Sequence, residues 1–213
     1  MITHYNEALK RPFTDAKKLI IGLILSVIPI VNFVVSGYHL KCASSVMGKN
    51  KKMYELPEWA NFLNLFLLGV ISFVVSLIYF VPALVVAFIV GGRDVFYNIS
   101  NLTYENLGFP SIVIVILALL SLYILPMALT KYSSKEKFKD AFRLGEILKK
   151  SLTWKYFAAW IFSAIIFIVL ILVLSWVRFN VGDVEVNLGS SFANFIALVI
   201  GFTLFGKVYG ESR

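Results

Sequence analysis

The sequence predicts an all-α membrane protein, a polytopic α-helical membrane bundle with four full spans. Either a re-entrant hairpin or a kinked fifth span precedes them. Hydrophobic residues make up 59% of the 213 residues and charged residues only 15%, against about a quarter in soluble domains. The apolar residues are gathered into blocks close to the roughly 20 residues that cross a bilayer as a helix. A soluble fold of this length could not bury so much apolar surface, so we expect one integral membrane domain over residues 1–213.

Residues 1–18 form a polar, basic start to the chain. A short interfacial helix is predicted over residues 6–11, ending where Pro12 removes a backbone donor. Thr14 or Asp15 can cap the next helix by accepting from its free N–H groups. The long apolar run begins after this charged stretch, unlike a cleavable signal peptide, and we expect the N-terminus to be retained.

The first apolar block, residues 19–40, is interrupted by Pro29 and Asn32. Pro29 disfavours continuation of the preceding helix, and Asn32 tolerates turn conformations. One interpretation is a re-entrant hairpin of two half-length helices, residues 19–28 and 33–45, with Pro29 and Asn32 at its turn. Such a turn survives at membrane depth only if protein or water covers its backbone. The other interpretation is an ordinary span with a proline kink.

Four further apolar blocks each predict a spanning helix. They cover residues 62–90, 111–130, 156–177 and 191–205. In the connection between the last two, residues 178–190, valines alternate with polar residues. That alternation predicts a small β-hairpin outside the membrane.

Charge predicts the orientation of the bundle. Eighteen of the 20 Lys and Arg residues lie in the N-terminal segment, the first and third loops and the C-terminal tail, and such segments stay in the cytoplasm. Two glycosylation sequons, at Asn98 and Asn101, lie in a loop that this orientation places outside. We expect a multi-pass plasma-membrane protein with both termini in the cytoplasm. The first block must then enter and leave on one side, which favours the hairpin.

The third loop, residues 131–155, combines apolar residues at helical spacing with many basic residues. This pattern predicts a cytoplasmic, basic amphipathic helix lying against anionic lipid headgroups. The protein has a net charge of +8, and we therefore expect it to bind membrane lipids and not nucleic acid. The alternative is a connector whose charges only set the orientation. The residues predicted to form the lipid surface are Lys135, Lys139, Arg143, Lys149 and Lys150.

Tryptophans mark the predicted membrane interfaces. Trp59, Trp154 and Trp176 flank apolar blocks, and Trp is enriched at the level of the headgroups. Pro57 and Glu58 suit the first turn of the helix that follows them, because proline lacks the N–H and glutamate favours the positive helix end. We expect all three tryptophans to anchor helix ends.

Polar residues that could form a site inside the blocks are few. Asn64 and Asn194 are costly within apolar blocks and are predicted to line a polar cavity. No Asp or Glu lies in the middle of any block, whereas ion-coupled transporters normally need one. His4 and His39 lack neighbours at metal-ligand spacing, no nucleophile or phosphate-binding motif occurs, and the single Cys42 cannot form an internal disulfide. We expect no catalytic residue, no metal and no cofactor.

Several short motifs resemble one known family. They are Ala8-Leu-Lys10 with Pro12-Phe13, Ser26-Val-Ile-Pro-Ile-Val-Asn32-Phe33 with Gly37-Tyr38, Leu56-Pro-Glu-Trp59, Tyr79-Phe-Val-Pro82, Pro126-Met-Ala128 and Ala141-Phe142. In this order they resemble a family of mostly archaeal membrane proteins known as domain of unknown function 4013. Relatives often carry an acidic residue after the Leu-Pro-Glu-Trp stretch, where this chain has Ala60. The resemblance implies a compact polytopic bundle in an archaeal-type plasma membrane and supplies no activity or site residues.

The function is predicted only at the level of class. The leading hypothesis is a non-enzymatic scaffold, accessory subunit or membrane-shaping component, acting through the hairpin and the basic segment on the cytoplasmic leaflet. The alternative is a transporter or pore for a neutral or lipid-like solute, because interrupted helices often frame binding sites. An enzyme acting on lipid headgroups would need acidic residues that converge at one interface. A homo-oligomer or another membrane-protein partner is compatible with each hypothesis.

Overall fold

The computed structural model describes residues 2–48, 54–91, 104–181 and 184–211. Both predicted sequons, Asn98 and Asn101, and part of the basic first loop lie outside the described residues. The helices and strands within these ranges are α1 (Ile2–Lys10), α2 (Ala16–Val27), α3 (Asn32–Ser45), α4 (Phe62–Gly91), α5 (Tyr104–Lys135), α6 (Leu144–Ser151), α7 (Trp154–Leu174), β1 (Phe179–Val181), β2 (Val184–Val186) and α8 (Leu188–Glu211).

The N-terminal segment folds largely as its local signals predict. α1 begins earlier than expected, at Ile2, and ends at a 3₁₀ turn, Arg11–Phe13, that contains Pro12. Asp15 caps α2, because its Oδ1 accepts a hydrogen bond of 3.1 Å from the backbone N–H of Lys18. The predicted stop at Pro12 and the predicted cap at Asp15 are confirmed.

The first apolar block forms two separate helices, α2 and α3, of 12 and 14 residues. Ile28 is extended, with φ −90° and ψ 115°, so α2 stops before Pro29. At 1.5 Å per residue each helix is roughly 20 Å long, short of the roughly 30 Å of bilayer hydrocarbon. The chain doubles back, because Arg11, before α2, donates a 2.8 Å hydrogen bond to the carbonyl of Cys42, near the end of α3. The predicted half-length helices are confirmed as an antiparallel hairpin, and one continuous kinked helix does not form.

Within the described residues four helices are long and apolar enough to cross a membrane, namely α4, α5, α7 and α8. This confirms the predicted class, an α-helical membrane bundle. Pro82 lies inside α4 without ending it. The predicted β-hairpin between α7 and α8 is present, and Phe179 of β1 pairs with Val186 of β2 in antiparallel register.

The helices pack around α8, which contacts α1, α2, α3, α5 and α7. α3 and α4 approach each other closely, because glycines of each helix face the backbone of the other. A Cβ on Gly37 would lie 1.9 Å from the carbonyl oxygen of Leu65, and one on Gly69 would lie 1.8 Å from that of Phe33. Small residues that let backbones touch are the usual means of helix association in membranes. This contact holds the hairpin against the first long helix.

The basic third loop, residues 131–155, is not one amphipathic helix, so that prediction is wrong in extent. α5 continues to Lys135 because Tyr132 and Ser133 are buried against neighbouring elements. Glu136 then adopts a left-handed φ of 54°, and a 3₁₀ segment, Phe138–Phe142, precedes α6. Only α6 is the separate, basic amphipathic helix that the spacing predicted.

Candidate functional site

Both ends of the chain and several basic segments lie at one end of the bundle. His4 Nε2 is 3.4 Å from one carboxylate oxygen of Glu211, and Lys155 Nζ is 3.2 Å from the other. Lys150 of α6 donates a 3.0 Å hydrogen bond to the carbonyl of Tyr209. We call this part of the molecule the lysine-rich end. It comprises α1, α6 and the adjoining ends of α3, α5, α7 and α8.

Arg11 is fully buried at the lysine-rich end, with 0% of its surface exposed. Its Nη1 donates 2.8 Å hydrogen bonds to the Cys42 carbonyl and to Thr203 Oγ1. Its Nη2 donates to Ser45 Oγ at 2.6 Å and to the Glu55 carbonyl at 3.0 Å, and Nε reaches the same carbonyl at 3.2 Å. One side chain therefore joins α3, α8 and the segment before α4.

The acceptors of Arg11 explain how the protein tolerates its charge. They are neutral oxygens, and together they use all five N–H groups of the guanidinium. Cys42 and Ser45 lie in the last turn of α3, where unpaired carbonyls need donors and the helix dipole is negative. Arg11 thus acts as a C-terminal cap of α3, and its role is structural.

Trp59 is half-buried and packs against the hairpin, and its predicted role as a membrane-interface anchor stays a prediction. Its indole stacks on the ring of Tyr38, with centroids 3.8 Å and planes 4° apart, and its Nε1 donates to the Lys18 carbonyl at 2.9 Å. Tyr38 also donates to the Pro57 carbonyl at 2.9 Å, and Glu58 lies 2.6 Å from Lys18 Nζ. α4 begins after this segment. The predicted placement of Pro57 and Glu58 in its first turn is wrong, because the segment binds the hairpin instead.

The two other predicted anchors have the exposure that contact with lipid requires. Trp154 at the start of α7 is 74% exposed, and Trp176 just beyond its end is 84% exposed. Their positions at opposite ends of one apolar helix fit two membrane interfaces.

α6 presents two different faces. Ile147 and Ser151 are buried, and α6 packs against α5. Leu144, Leu148 and Leu152 recur every four residues and so form a stripe along an adjacent face, and they are 52%, 38% and 78% exposed. We call these three residues the leucine stripe. A helix that packs only on a protein core has no need of a second apolar face.

The carboxylates around α6 are paired within the protein. Arg143 Nε is 2.9 Å from Asp140, which is buried, and Arg143 Nη1 is 3.3 Å from Glu146. Buried Lys131 donates a further hydrogen bond to Glu146, and this bond holds the pKa of that carboxyl below its usual value. Because these carboxylates are already paired, they do not neutralise the charge of the other lysines at the lysine-rich end.

Most residues predicted to form a lipid surface are exposed. Lys150 is half-buried, with its Nζ 3.8 Å from the centre of the Tyr209 ring. Arg143 is exposed but engaged by its two carboxylates. The other three predicted residues are Lys135, Lys139 and Lys149. They are exposed, and they form no ion pair within the described part of the chain.

A cavity of about 470 Å³ lies between α3, α4, α5 and α8. It begins at the turn of the hairpin, where Pro29 and Asn32 line it. Its size is typical of a small-molecule site. The large apolar side chains that line its walls are Phe33, Leu40, Phe73, Leu125, Leu129, Leu198 and Phe202.

His39 is the most unusual residue of the cavity lining. It is 3% exposed, and its Nε2 has no hydrogen-bond partner in the described part of the protein. The ring makes a backbone hydrogen bond with Phe195. The N–H of Phe195 is used within α8, so its carbonyl is the acceptor and the ring nitrogen facing it carries the proton. In the neutral ring Nε2 is then a free acceptor.

Three serines add further acceptors to the cavity wall. Their hydroxyl hydrogens are used within their own helices: Ser36 donates to the Asn32 carbonyl at 3.1 Å, and Ser72 donates to the Gly69 carbonyl at 2.7 Å. Ser76 likewise donates to the Ser72 carbonyl at 2.8 Å. Each hydroxyl oxygen keeps lone pairs that can accept a hydrogen bond. The cavity therefore offers acceptors to a ligand.

The structure forms a cavity with a few polar groups in its wall, and the asparagines predicted to line a polar cavity are not among them. Asn64 and Asn194 are both half-buried and lie away from its lining, whereas Asn32 of the hairpin turn lies on it. Arg11 and His39 were not singled out by the sequence as site residues. No group of three potential metal ligands occurs in the described ranges.

One comparison with known proteins identifies the chain. A family model described as protein of unknown function (DUF4013) matches residues 21–178, which is more than half of the chain. No curated protein and no solved structure matches it. The matched residues include most of the hairpin and all of the first two spanning helices, α6 and α7. They therefore include most of the cavity and the whole leucine stripe. The chain therefore belongs to the DUF4013 family.

Proposed function

We propose that the protein is a non-enzymatic, multi-pass membrane protein that binds anionic lipids of one leaflet through its lysine-rich end and shapes or organises the bilayer there. The observation that carries this proposal is the exposed leucine stripe of α6 with uncompensated lysines beside it. An apolar stripe bordered by cations matches the boundary between acyl chains and anionic headgroups. The stripe also leads directly into α7, whose first residue, Trp154, is exposed.

The proposal places the lysine-rich end and both termini in the cytoplasm, following the positive-inside rule. The hairpin of α2 and α3 would then enter and leave the membrane from that side. Two features support this: both hairpin ends lie at the lysine-rich end, and each arm is too short to span the membrane.

Cysteine labelling tests the orientation. Asn6→Cys and Gly48→Cys place a thiol before and after the hairpin at the lysine-rich end, and the native Cys42 is buried. A membrane-impermeant maleimide added to intact cells should label neither variant and should label both after lysis. Labelling of either variant in intact cells would contradict the orientation.

A depth measurement tests leaflet binding. Leu148→Cys carries a fluorophore in vesicles of phosphatidylcholine with or without phosphatidylglycerol, and lipids with a quencher near the ester groups report its depth. We expect strong quenching that increases with phosphatidylglycerol and decreases at high salt, because salt screens charges at the surface. Gly145→Cys is the matched control on α6, since Gly145 is exposed and has no atom within 4 Å of its Cβ position.

Two results would count against the proposal. The first is equal quenching of the fluorophore at positions 145 and 148. The second is a combined negative result: the protein leaves the size distribution of the vesicles unchanged, and no partner co-purifies with it in mild detergent. The triple variant Lys135→Gln, Lys139→Gln, Lys149→Gln should abolish the dependence on phosphatidylglycerol without lowering thermal stability. These three side chains are exposed, so their loss removes charge and no packing.

A second candidate function is a carrier or pore for a neutral or lipid-like solute. The cavity favours it, since it lies between four helices and begins at a break in a helical hairpin. Broken helices frame the binding sites of many transporters. Uptake of a labelled neutral solute into vesicles that contain the protein, compared with protein-free vesicles, tests it directly.

A further inference from the structure

We infer that the cavity between α3, α4, α5 and α8 binds one molecule of a neutral, lipid-like alcohol whose hydroxyl donates a hydrogen bond to His39 Nε2. The inference is independent of leaflet binding, and it would give the second candidate function a binding site. Its first basis is the unsatisfied nitrogen. A buried acceptor without a partner destabilises the folded protein, and His39 Nε2 is such an atom. A ligand with a donor removes that destabilisation.

The polarity of the lining selects the ligand's head group. His39 Nε2 and the hydroxyl oxygens of Ser36, Ser72 and Ser76 are acceptors, so a ligand that only accepts, such as a ketone or an ether, finds few donors. None of the described lining residues is charged, so neither a carboxylate nor an ammonium group would be neutralised. A hydroxyl, which donates once and carries no charge, meets both conditions.

The walls select the rest of the ligand. The cavity is lined mainly by aromatic and branched aliphatic side chains, including Phe73, Leu129 and Phe202, which suit an alkyl chain. A volume of about 470 Å³ holds one small amphiphile. The combination of one polar region and apolar walls favours an alcohol with a hydrocarbon tail over a compact polar solute such as glycerol.

Photoaffinity labelling of the full-length protein in phosphatidylcholine vesicles tests the inference. The probe is dodecanol with a diazirine in its chain, and the competitors are unlabelled dodecanol and 1-methoxydodecane, which has the same chain but no donor. We expect dodecanol to compete about tenfold better than the ether, the factor that one hydrogen bond of about 1.4 kcal/mol supplies. Labelled peptides should come from α3, α4, α5 or α8, the four helices that line the cavity.

Variants separate recognition by His39 from partition into lipid. His39→Leu should reduce labelling about tenfold. His4→Leu is the control: it changes the second histidine of the chain, which lies at the lysine-rich end and away from the cavity, and it should leave labelling unchanged. If His39→Leu does not fold, Phe73→Trp, which adds bulk at a cavity wall, should reduce labelling instead. Equal competition by alcohol and ether, or labels spread over the exposed surface of α7, would overturn the inference.

Discussion

α7 and α8 pack against each other but occupy opposite environments. α7 is the most hydrophobic spanning helix, with a mean hydropathy of 3.0, and only 6% of its most apolar stretch is buried in the protein. α8 is the least hydrophobic, with a mean hydropathy of 1.8, and 67% of the corresponding stretch is buried. In a soluble protein this relation would be reversed.

The difference follows from the solvent. Lipid chains are as apolar as leucine, so a surface helix gains nothing by hiding its leucines from them. A central helix must instead offer small residues for close contact and polar groups for hydrogen bonds. α8 does so through Thr203, which accepts from Arg11, and through Gly206, which meets α3. Contacts with α8 should therefore determine stability far more than the apolar surface of α7.

The largest expected effect in this comparison comes from Arg11, which ties α8 to the hairpin. Arg11→Met removes all five hydrogen bonds of the guanidinium, including those to the Cys42 and Glu55 carbonyls. We expect a loss of roughly 3–5 kcal/mol, as for other broken buried charge networks, and a melting temperature in mild detergent lower by about 10 °C. Size-exclusion chromatography after heating measures it.

A neighbouring residue provides the matched control. Lys10→Met removes the same charge one residue earlier, but Lys10 is exposed, so the melting temperature should change little. Arg11→Lys keeps the charge and loses the planar set of donors, and it should lie between the two. Equal changes in melting temperature for Lys10→Met and Arg11→Met would mean that only the positive charge matters, for example in orienting the protein in the membrane. That result would refute the role of Arg11 as a cap of α3.

Much of the fold could be predicted from the sequence because the decisive signals are local. Blocks of apolar residues define the spanning helices, Asp15 caps α2 with its own side chain, and the break at Pro29 separates α2 from α3. Each of these depends on residues adjacent in the chain. The extension of α5 to Lys135 was missed because burial by distant elements stabilises it.

The candidate site depends on contacts that no local pattern encodes. In the sequence Arg11 is one of 20 basic residues, and nothing near it indicates acceptors as distant as Thr203. The sequence has no metal-ligand spacing around His39, and its burial depends on helices distant in the chain. The residue type of Asn64 and Asn194 favours a polar site, but packing decides which face of a helix borders a cavity, and Asn32 lies there instead.

The next largest effect should come from glycines of α8. In Gly206→Ala the new Cβ would lie 2.2 Å from the carbonyl oxygen of Ala43, a backbone atom that cannot move aside, and overpacking of this kind costs roughly 1–3 kcal/mol. Gly201→Ala is the control on the same helix, because its nearest neighbours stand at 3.5 Å. It should be neutral or gain up to about 1 kcal/mol of helix propensity. Thermal melting measures both variants. Equal melting temperatures for Gly206→Ala and Gly201→Ala would contradict the central role of α8.

The smallest effect should come from the apolar surface of α7. Leu172 is exposed on α7 and Leu204 is buried on α8, so the same substitution to alanine can be made in both environments. Leu204→Ala should cost roughly 2–5 kcal/mol through lost packing, whereas Leu172→Ala should stay within about 0.5 kcal/mol, because lipid fills the space that the side chain leaves. The pair is best measured by thermal melting in bilayer nanodiscs, where the solvent of α7 is lipid. A cost at Leu172 as large as that at Leu204 would mean that protein covers α7, as in a homo-oligomer, and cross-linking through Leu172→Cys would then reveal the second copy.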